Sequence, residues 1–239
     1  VGWSGGIQPI RPYPCGGSAC LKGSLTTMRI GIYGGSFDPI HYGHLLAAES
    51  VREQAGLDRV VFMPAAASPH KPGVGLAAAT DRLAMLGLAT AGHNAFSVSS
   101  IELDRGGTSY TVDTLETLAT AHPDDRLVLI LGPDALAGFA TWREPAQIAM
   151  LAEIVAVERE VLDDVAAAVR AGGLAEIIGS ETAAAIVQRR VGMPAIGIRA
   201  TTIRQAVATG RSIRYRTPRA VERYIATRGL YRDELSAPV

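Results

Sequence analysis

From residue 28 onward the apolar positions fall into two rhythms. In one they form short β-branched runs; in the other they recur three and four residues apart, as along one face of a helix. The runs predict strands over Arg29–Tyr33, Arg59–Met63, Leu127–Leu131, Ile154–Val157 and Pro194–Ile198, with an extended stretch over Phe96–Leu103 and a turn at Gly106–Gly107. The helical rhythm predicts helices over Gly43–Gly56, Ala77–Gly92, Tyr110–Ala121, Val161–Ala171, Thr182–Arg190, Thr201–Ala208 and Pro218–Arg228. Leu45, Leu46, Ala48 and Val51 carry the first helix to a stop at Gly56, and Leu83, Leu86 and Leu88 mark the apolar side of the second. Pro123 follows the third, and Gly229 caps the last. Leu127–Leu131 reads LVLIL without a polar break, as a strand covered on both faces does. Strands alternating with helices imply an α/β chain: a doubly wound, mostly parallel sheet with helices on both faces. Ligands on such sheets sit beyond the carboxyl ends of the strands. No repeat or linker interrupts residues 28–239, which are expected to form one domain.

Residues 1–27 follow neither rhythm. They are rich in Gly, Ser and Pro, carry no acidic residue and lack the apolar stretch of a secretory signal. They read as a flexible leader, and Met28, which opens the first strand, is the expected functional start. Both cysteines, Cys15 and Cys20, lie in this leader. They could pair or bind metal, but two thiols in a Gly-rich segment read as free. The remainder has no cysteine, which excludes a disulfide scaffold, a thiol nucleophile and a Cys-ligated zinc site, and fits a cytoplasmic setting.

Composition narrows the function further. The chain is 48% hydrophobic and 19% charged, so disorder and extreme charge are excluded. Its 23 basic residues balance its 23 acidic ones, so the electrostatic footprint of a nucleic-acid or membrane-surface protein is absent. No apolar run approaches the roughly 20 residues of a membrane span. Only Lys22 and Lys71 are lysines. The bias toward arginine is first of all a coding bias, but it singles out Lys71 as a candidate phosphate ligand.

The first strand–loop–helix carries the chemistry. It reads Ile30-Gly31-Ile32-Tyr33-Gly34-Gly35-Ser36-Phe37-Asp38-Pro39-Ile40-His41-Tyr42-Gly43-His44. Two glycines at the strand end let the backbone approach a ligand, and the following helix start favours an anion. Two histidines flank that start, and Gly43 between them leaves room for a phosphate. Imidazoles there can stabilise charge developing on a phosphoryl group. The segment is neither a Walker loop, since it has no lysine, nor G-x-G-x-x-G, and its Ser36 is not in a G-x-S-x-G elbow. The alternative is a pair of surface histidines on a tight turn.

GGSFDPIHYGH resembles the signature of the HxGH nucleotidyltransferases. Three further stretches are similar to one branch of them, the bacterial nicotinate-nucleotide adenylyltransferases. These are Ser109-Tyr110-Thr111-Val112-Asp113-Thr114-Leu115, then Leu131-Gly132-Pro133-Asp134-Ala135-Leu136 with Thr141-Trp142, and Ile198 to Arg204 (IRATTIR). The ending from Gly210 to Tyr231 fits as well, so the resemblance runs from Met28 to about Tyr231.

The resemblance implies a Rossmann-like sheet of the nucleotidyltransferase type. It implies transfer of AMP from ATP to nicotinate mononucleotide, giving deamido-NAD and diphosphate, with Mg²⁺ arriving on ATP rather than on a visible ligand cluster. It implies an ATP site of Gly34, Gly35, Ser36, Phe37, His41, His44, Gly132, Asp134, Ile198, Thr201 and Arg204. Of these, His41, His44, Thr201 and Arg204 are the implied catalytic set. Ser36, Lys71, Thr111, Val112, Trp142 and Arg143 would bind nicotinate mononucleotide.

Bland readings stand beside several of these. Thr201 and Asp134 could cap helices, Trp142 could be core, Lys71 could be a solvated loop residue, and Asp38 could orient the loop. Three departures from the family pattern stand out: Arg199 for its usual Ser, Pro133 for its Ala, and Arg143 for its frequent Tyr. Arg199 puts one phosphate contact in doubt, and Arg143 offers the substrate carboxylate a cation. The partners implied are the two nucleotides, with no nucleic acid or membrane and with self-association left open. The competing readings are a sister enzyme using nicotinamide mononucleotide or phosphopantetheine, and a sensor that binds nucleotide without turnover.

Overall fold

The structure, a computed structural model, describes residues 27–67, 76–160 and 164–232. The expected leader, up to residue 26 with Cys15 and Cys20, and the loop with Lys71 lie outside the described residues. In chain order the elements are β1 (Arg29–Gly35), α1 (Tyr42–Gln54), β2 (Arg59–Pro64), α2 (Ala79–Thr90), β3 (Phe96–Val98), α3 (Ile101–Arg105) and α4 (Thr111–Ala121). There follow β4 (Arg126–Leu131), α5 (Pro133–Ala137), a 3₁₀ turn (Phe139–Thr141), α6 (Pro145–Leu151), β5 (Glu153–Arg159) and α7 (Val165–Ala171). The last elements are α8 (Leu174–Ile178), α9 (Ser180–Gln188), β6 (Val191–Met193), α10 (Ala200–Ala208) and α11 (Arg219–Arg228).

All six strands run parallel in the order β3-β2-β1-β4-β5-β6, so the expected doubly wound α/β sheet is present. The order reverses between β1 and β4, and a crevice opens beyond their carboxyl ends at such a switch point.

The pleat divides the core. Val60 and Phe62 of β2 join Val128, Ile130, Val155 and Val157 beneath α1, α2, α10 and α11. Val61 and Met63 turn to the other face, with Ile30, Ile32, Leu129 and Leu131 beneath α4 to α9. Gly31 faces the first of these layers at close range: a Cβ there would lie 2.7 Å from Leu57 Cδ1 and 3.0 Å from Ile130 Cδ1.

Several sequence expectations are corrected. The extended stretch ends at Val98, and Ile101–Arg105 is a short helix instead. Ser100 starts it, accepting the Asp104 N–H on its carbonyl at 2.8 Å and donating its hydroxyl to Asp104 Oδ2 at 2.7 Å. The last strand is Val191–Met193, not Pro194–Ile198, because Pro194 has no N–H to extend a ladder. Leu88 is on the outer side of α2, 39% exposed, while Met85 and Leu86 are buried. The helix expected from Val161 begins at Val165, where Asp164 Oδ1 accepts the Ala167 N–H at 2.8 Å. The short helices α5, α6 and α8 have too few turns to leave a rhythm in the sequence.

Candidate active site

The turn from β1 to α1 is pinned from outside itself. Phe37 is 1% exposed and takes φ +46°, so its ring enters the core and only its backbone faces the turn. The Asp38–Pro39 peptide is cis. Asp38, 1% exposed, accepts the Tyr231 hydroxyl at 2.6 Å and the Ala77 N–H at 3.3 Å on Oδ1, while Arg204 donates to the Asp38 carbonyl at 2.8 Å. Arg82, buried in α2, donates to the carbonyls of Ser36 at 3.0 Å and Ala65 at 2.8 Å, tying together the ends of β1 and β2. The Thr217 hydroxyl donates to the Ile40 carbonyl at 2.7 Å. A loop held by this many distant donors has its backbone fixed before any ligand is bound.

The two histidines are not a surface pair. His41 is buried at 6% exposure, and its ring stacks on that of His44 with centroids 3.7 Å apart. His44 leans edge-on against Phe37, at 5.1 Å. Its Nδ1 accepts the His41 backbone N–H at 3.3 Å, which places the proton of a neutral His44 ring on Nε2. Burial pushes the His41 imidazole down to about 4, so near neutral pH it is an uncharged donor. Gly43 makes room for this stack: a Cβ there would lie 3.1 Å from the His41 ring and 3.2 Å from Ile196. The space expected for a phosphate is thus partly space for an imidazole.

Beyond the carboxyl ends of β1 and β4 lies a cavity of about 420 Å³. Of the residues expected at the nucleotide site, Gly34, Gly35, Ser36, Gly132, Asp134, Thr111, Trp142 and Arg143 line it. Val112 is 2% exposed with its side chain in the core, so it can offer a ligand only its backbone. Helix α4 starts here with Tyr110 as its N-cap residue and no side-chain cap, leaving first-turn amides open at the cavity wall.

Trp142 is both core and wall: it packs beside Phe139, ring centroids 5.4 Å apart, and lines the cavity. Asp134 is exposed in the first turn of α5 and caps nothing; Gly132 holds the N-cap position. Arg143 lies over the Tyr110 ring at 5.0 Å, 3.6 Å from Asp113 and 3.5 Å from Glu144. Its charge is therefore already matched by two carboxylates.

His41, His44, Phe37, Ile198, Thr201 and Arg204 do not line this cavity. Phe37, His41 and His44 belong to the turn beside it, Arg204 of α10 reaches that turn at the Asp38 carbonyl, and Ile198 packs on the core. Helix α10 starts from Arg199, which is exposed, and Thr201 is not a side-chain cap. Thr202 instead donates to the Arg199 carbonyl at 2.8 Å.

The sequence reading missed three polar cavity residues, Glu102, Ser109 and Thr114. The assignment of Phe96–Leu103 as extended hid Glu102. Ser109 and Thr114 were visible only as letters of a motif. Among the described residues no group of three or more His, Cys, Asp or Glu side chains could hold a metal ion, and no helix is long and apolar enough to cross a membrane.

Comparison with known proteins places this geometry. Residues 32–206 match the cytidylyltransferase-like family model. Two relatives named "Probable nicotinate-nucleotide adenylyltransferase" are similar over most of the chain. That of Roseiflexus sp. is 47% identical over 208 residues, 87% of this chain and 100% of the relative. That of Thermus thermophilus is 46% identical over 205 residues, 86% of this chain and 100% of the relative. Among solved structures, the Plasmodium falciparum nicotinic acid mononucleotide adenylyltransferase complexed with NaAD shares the fold. It has a TM-score of 0.67 at 18% identity, covering 87% of this chain and 99% of that one.

Proposed function

The chain belongs to the cytidylyltransferase-like family and, within it, to the nicotinate-nucleotide adenylyltransferases, and from that membership we propose how its site works. The enzyme transfers AMP from ATP to nicotinate mononucleotide, giving deamido-NAD and diphosphate. A phosphate oxygen of the mononucleotide forms a bond to the α-phosphorus. The bridging bond from that phosphorus to the β-phosphate oxygen breaks, and its electron pair leaves with diphosphate. No protein nucleophile is needed, so positioning and charge stabilisation carry the rate.

The observation that carries this reading is the junction of two sites at one loop. Ser36 lines the cavity, and the same loop ends in the stacked pair His41 and His44. In our reading the pyridine and ribose of the mononucleotide occupy the cavity, with Trp142 against the ring and Lys71 at the phosphate. Its carboxylate meets the first-turn amides of α4, at Thr111 and Val112. Arg143 is held by Asp113 and Glu144, so the amides rather than that cation select the acid. ATP lies over Gly34, Gly35, Ser36 and the backbone of Phe37, with Gly132, Asp134 and Ile198 along the adenosine. His41 and His44 donate to the α-phosphate as charge builds. Thr201, the open first turn of α10 and Arg204 hold the departing diphosphate. Mg²⁺ brought by ATP would neutralise phosphate charge there, with no carboxylate cluster of the described residues to hold it.

The test is diphosphate release from ATP with Mg²⁺, nicotinate and nicotinamide mononucleotides being supplied in parallel and phosphopantetheine as a third acceptor. Release with the acid, much faster than with the amide, is expected. Equal rates would remove the carboxylate site. Binding of ATP without release on any acceptor would make the protein a sensor.

A further inference from the structure

Glu102 is a carboxylate that the turnover described above does not use, yet it lies in the cavity wall at only 7% exposure. A charge this far from water needs partners, and its partners all belong to one turn. Thr114, 1% exposed, donates its hydroxyl to Glu102 Oε1 at 2.9 Å, and the Ser109 hydroxyl is a second donor.

Neither hydroxyl is free to play another part. Ser109 Oγ accepts the Ala66 N–H at 2.9 Å, and Thr114 Oγ1 accepts Arg105 Nη2 at 2.8 Å. Each then has a proton to give; Glu102 is the nearer acceptor for Thr114, whose hydroxyl also lies 3.4 Å from the Tyr110 carbonyl, and a carboxylate, which only accepts, can take both. Gly106 and Gly107, at φ +68° and +67°, reverse the chain so that α3 delivers Glu102 beneath the start of α4. The Ser109 N–H donates to the Ala67 carbonyl at 2.9 Å, joining the same turn to the chain beyond β2.

We propose that Glu102 is the positioning residue of the nicotinate subsite, fixing through Ser109 and Thr114 the first turn of α4 whose open amides receive the substrate carboxylate. The proposal rests on the adenylyl-transfer reading above. Glu102 touches no reacting atom; it sets where Thr111 and Val112 stand. Burial holds its carboxyl above the ordinary carboxylate range, and the two hydroxyls and Arg105 only partly offset that push.

The experiment compares wild-type enzyme with Glu102→Gln, Glu102→Asp and Thr114→Val, measuring kcat and the KM of each substrate. Glu102→Gln offers one acceptor oxygen where two hydroxyls donate. It is expected to raise the KM for nicotinate mononucleotide by roughly 10–100-fold, the scale of one lost hydrogen bond to a charged group. The KM for ATP is expected to move less than twofold, and the preference for the acid over nicotinamide mononucleotide to shrink. Thr114→Val, similar in shape, should reproduce the effect, and Glu102→Asp should restore part of the loss. Equal shifts in both KM values, or a lower melting temperature with both KM values unchanged, would make Glu102 a purely structural residue and overturn the proposal. Failure of the wild type itself to use nicotinate mononucleotide would overturn the functional reading instead.

Discussion

At the residue scale the site is a matter of which protons are available. His44 Nδ1 accepts the His41 backbone N–H, so a neutral His44 ring carries its proton on Nε2. We expect His44→Ala to lower kcat by roughly 10²–10³, the scale for one donor to transition-state charge. Circular dichroism and melting temperature should be near wild type, since the ring leans on Phe37 from the edge of the core. Unchanged turnover in the folded variant would remove His44 from catalysis. The motif displayed both histidines in the sequence. That one is buried and stacked on the other was not legible, because burial is set by chain that closes over the turn from far away, with Ile196 lying against Gly43. Asp38 shows the same limit more sharply: two of its partners, Arg204 and Tyr231, are 166 and 193 positions away.

At the element scale, the elements with a long or continuous apolar pattern were legible and the short ones were not. LVLIL became β4 because a strand covered on both faces leaves no room for polar alternation. Helix α11 ends where Gly229 takes φ +65°, as its glycine indicated. Pro194–Ile198 misled, since its apolar residues matched a strand while its proline forbade the ladder. β1 carries a further constraint at Gly31, which lets Leu57 and Ile130 reach the sheet. We expect Gly31→Ala to destabilise the fold by about 1–3 kcal/mol, the cost of overpacking a dense core. Urea denaturation would show it as a lower midpoint with an unchanged slope; an unchanged midpoint would mean that both side chains repack freely.

At the scale of the whole molecule, one buried group links stability to pH. His41 has a folded value of about 4 against an ordinary 6.5, so the native state resists protonation and the unfolded state accepts it. Its contribution is complete above pH 6.5 and is lost as pH falls from 6.5 toward 4. The full swing is about 3 kcal/mol, at about 1.4 kcal/mol per unit. Unfolding free energies at pH 7, 5.5 and 4.5 should therefore fall more steeply in the wild type than in His41→Gln. Parallel curves would place that imidazole in contact with water.

The sequence by itself determined the alternation of strands and helices, the sheet class, the family motifs and the glycine- and histidine-bearing turn that the proposed reaction uses. All of these depend on local rhythm or on residues within about a dozen positions of one another. Only the tertiary structure decided the strand order, the cavity at the reversal between β1 and β4, and the separation of the expected site residues into a cavity group and a turn group. It alone revealed the Glu102 network, the long-range tethers on Asp38 and the neutral state of His41. Burial and hydrogen bonding between residues far apart in sequence exist only once the chain has closed on itself, and they leave no periodicity to read.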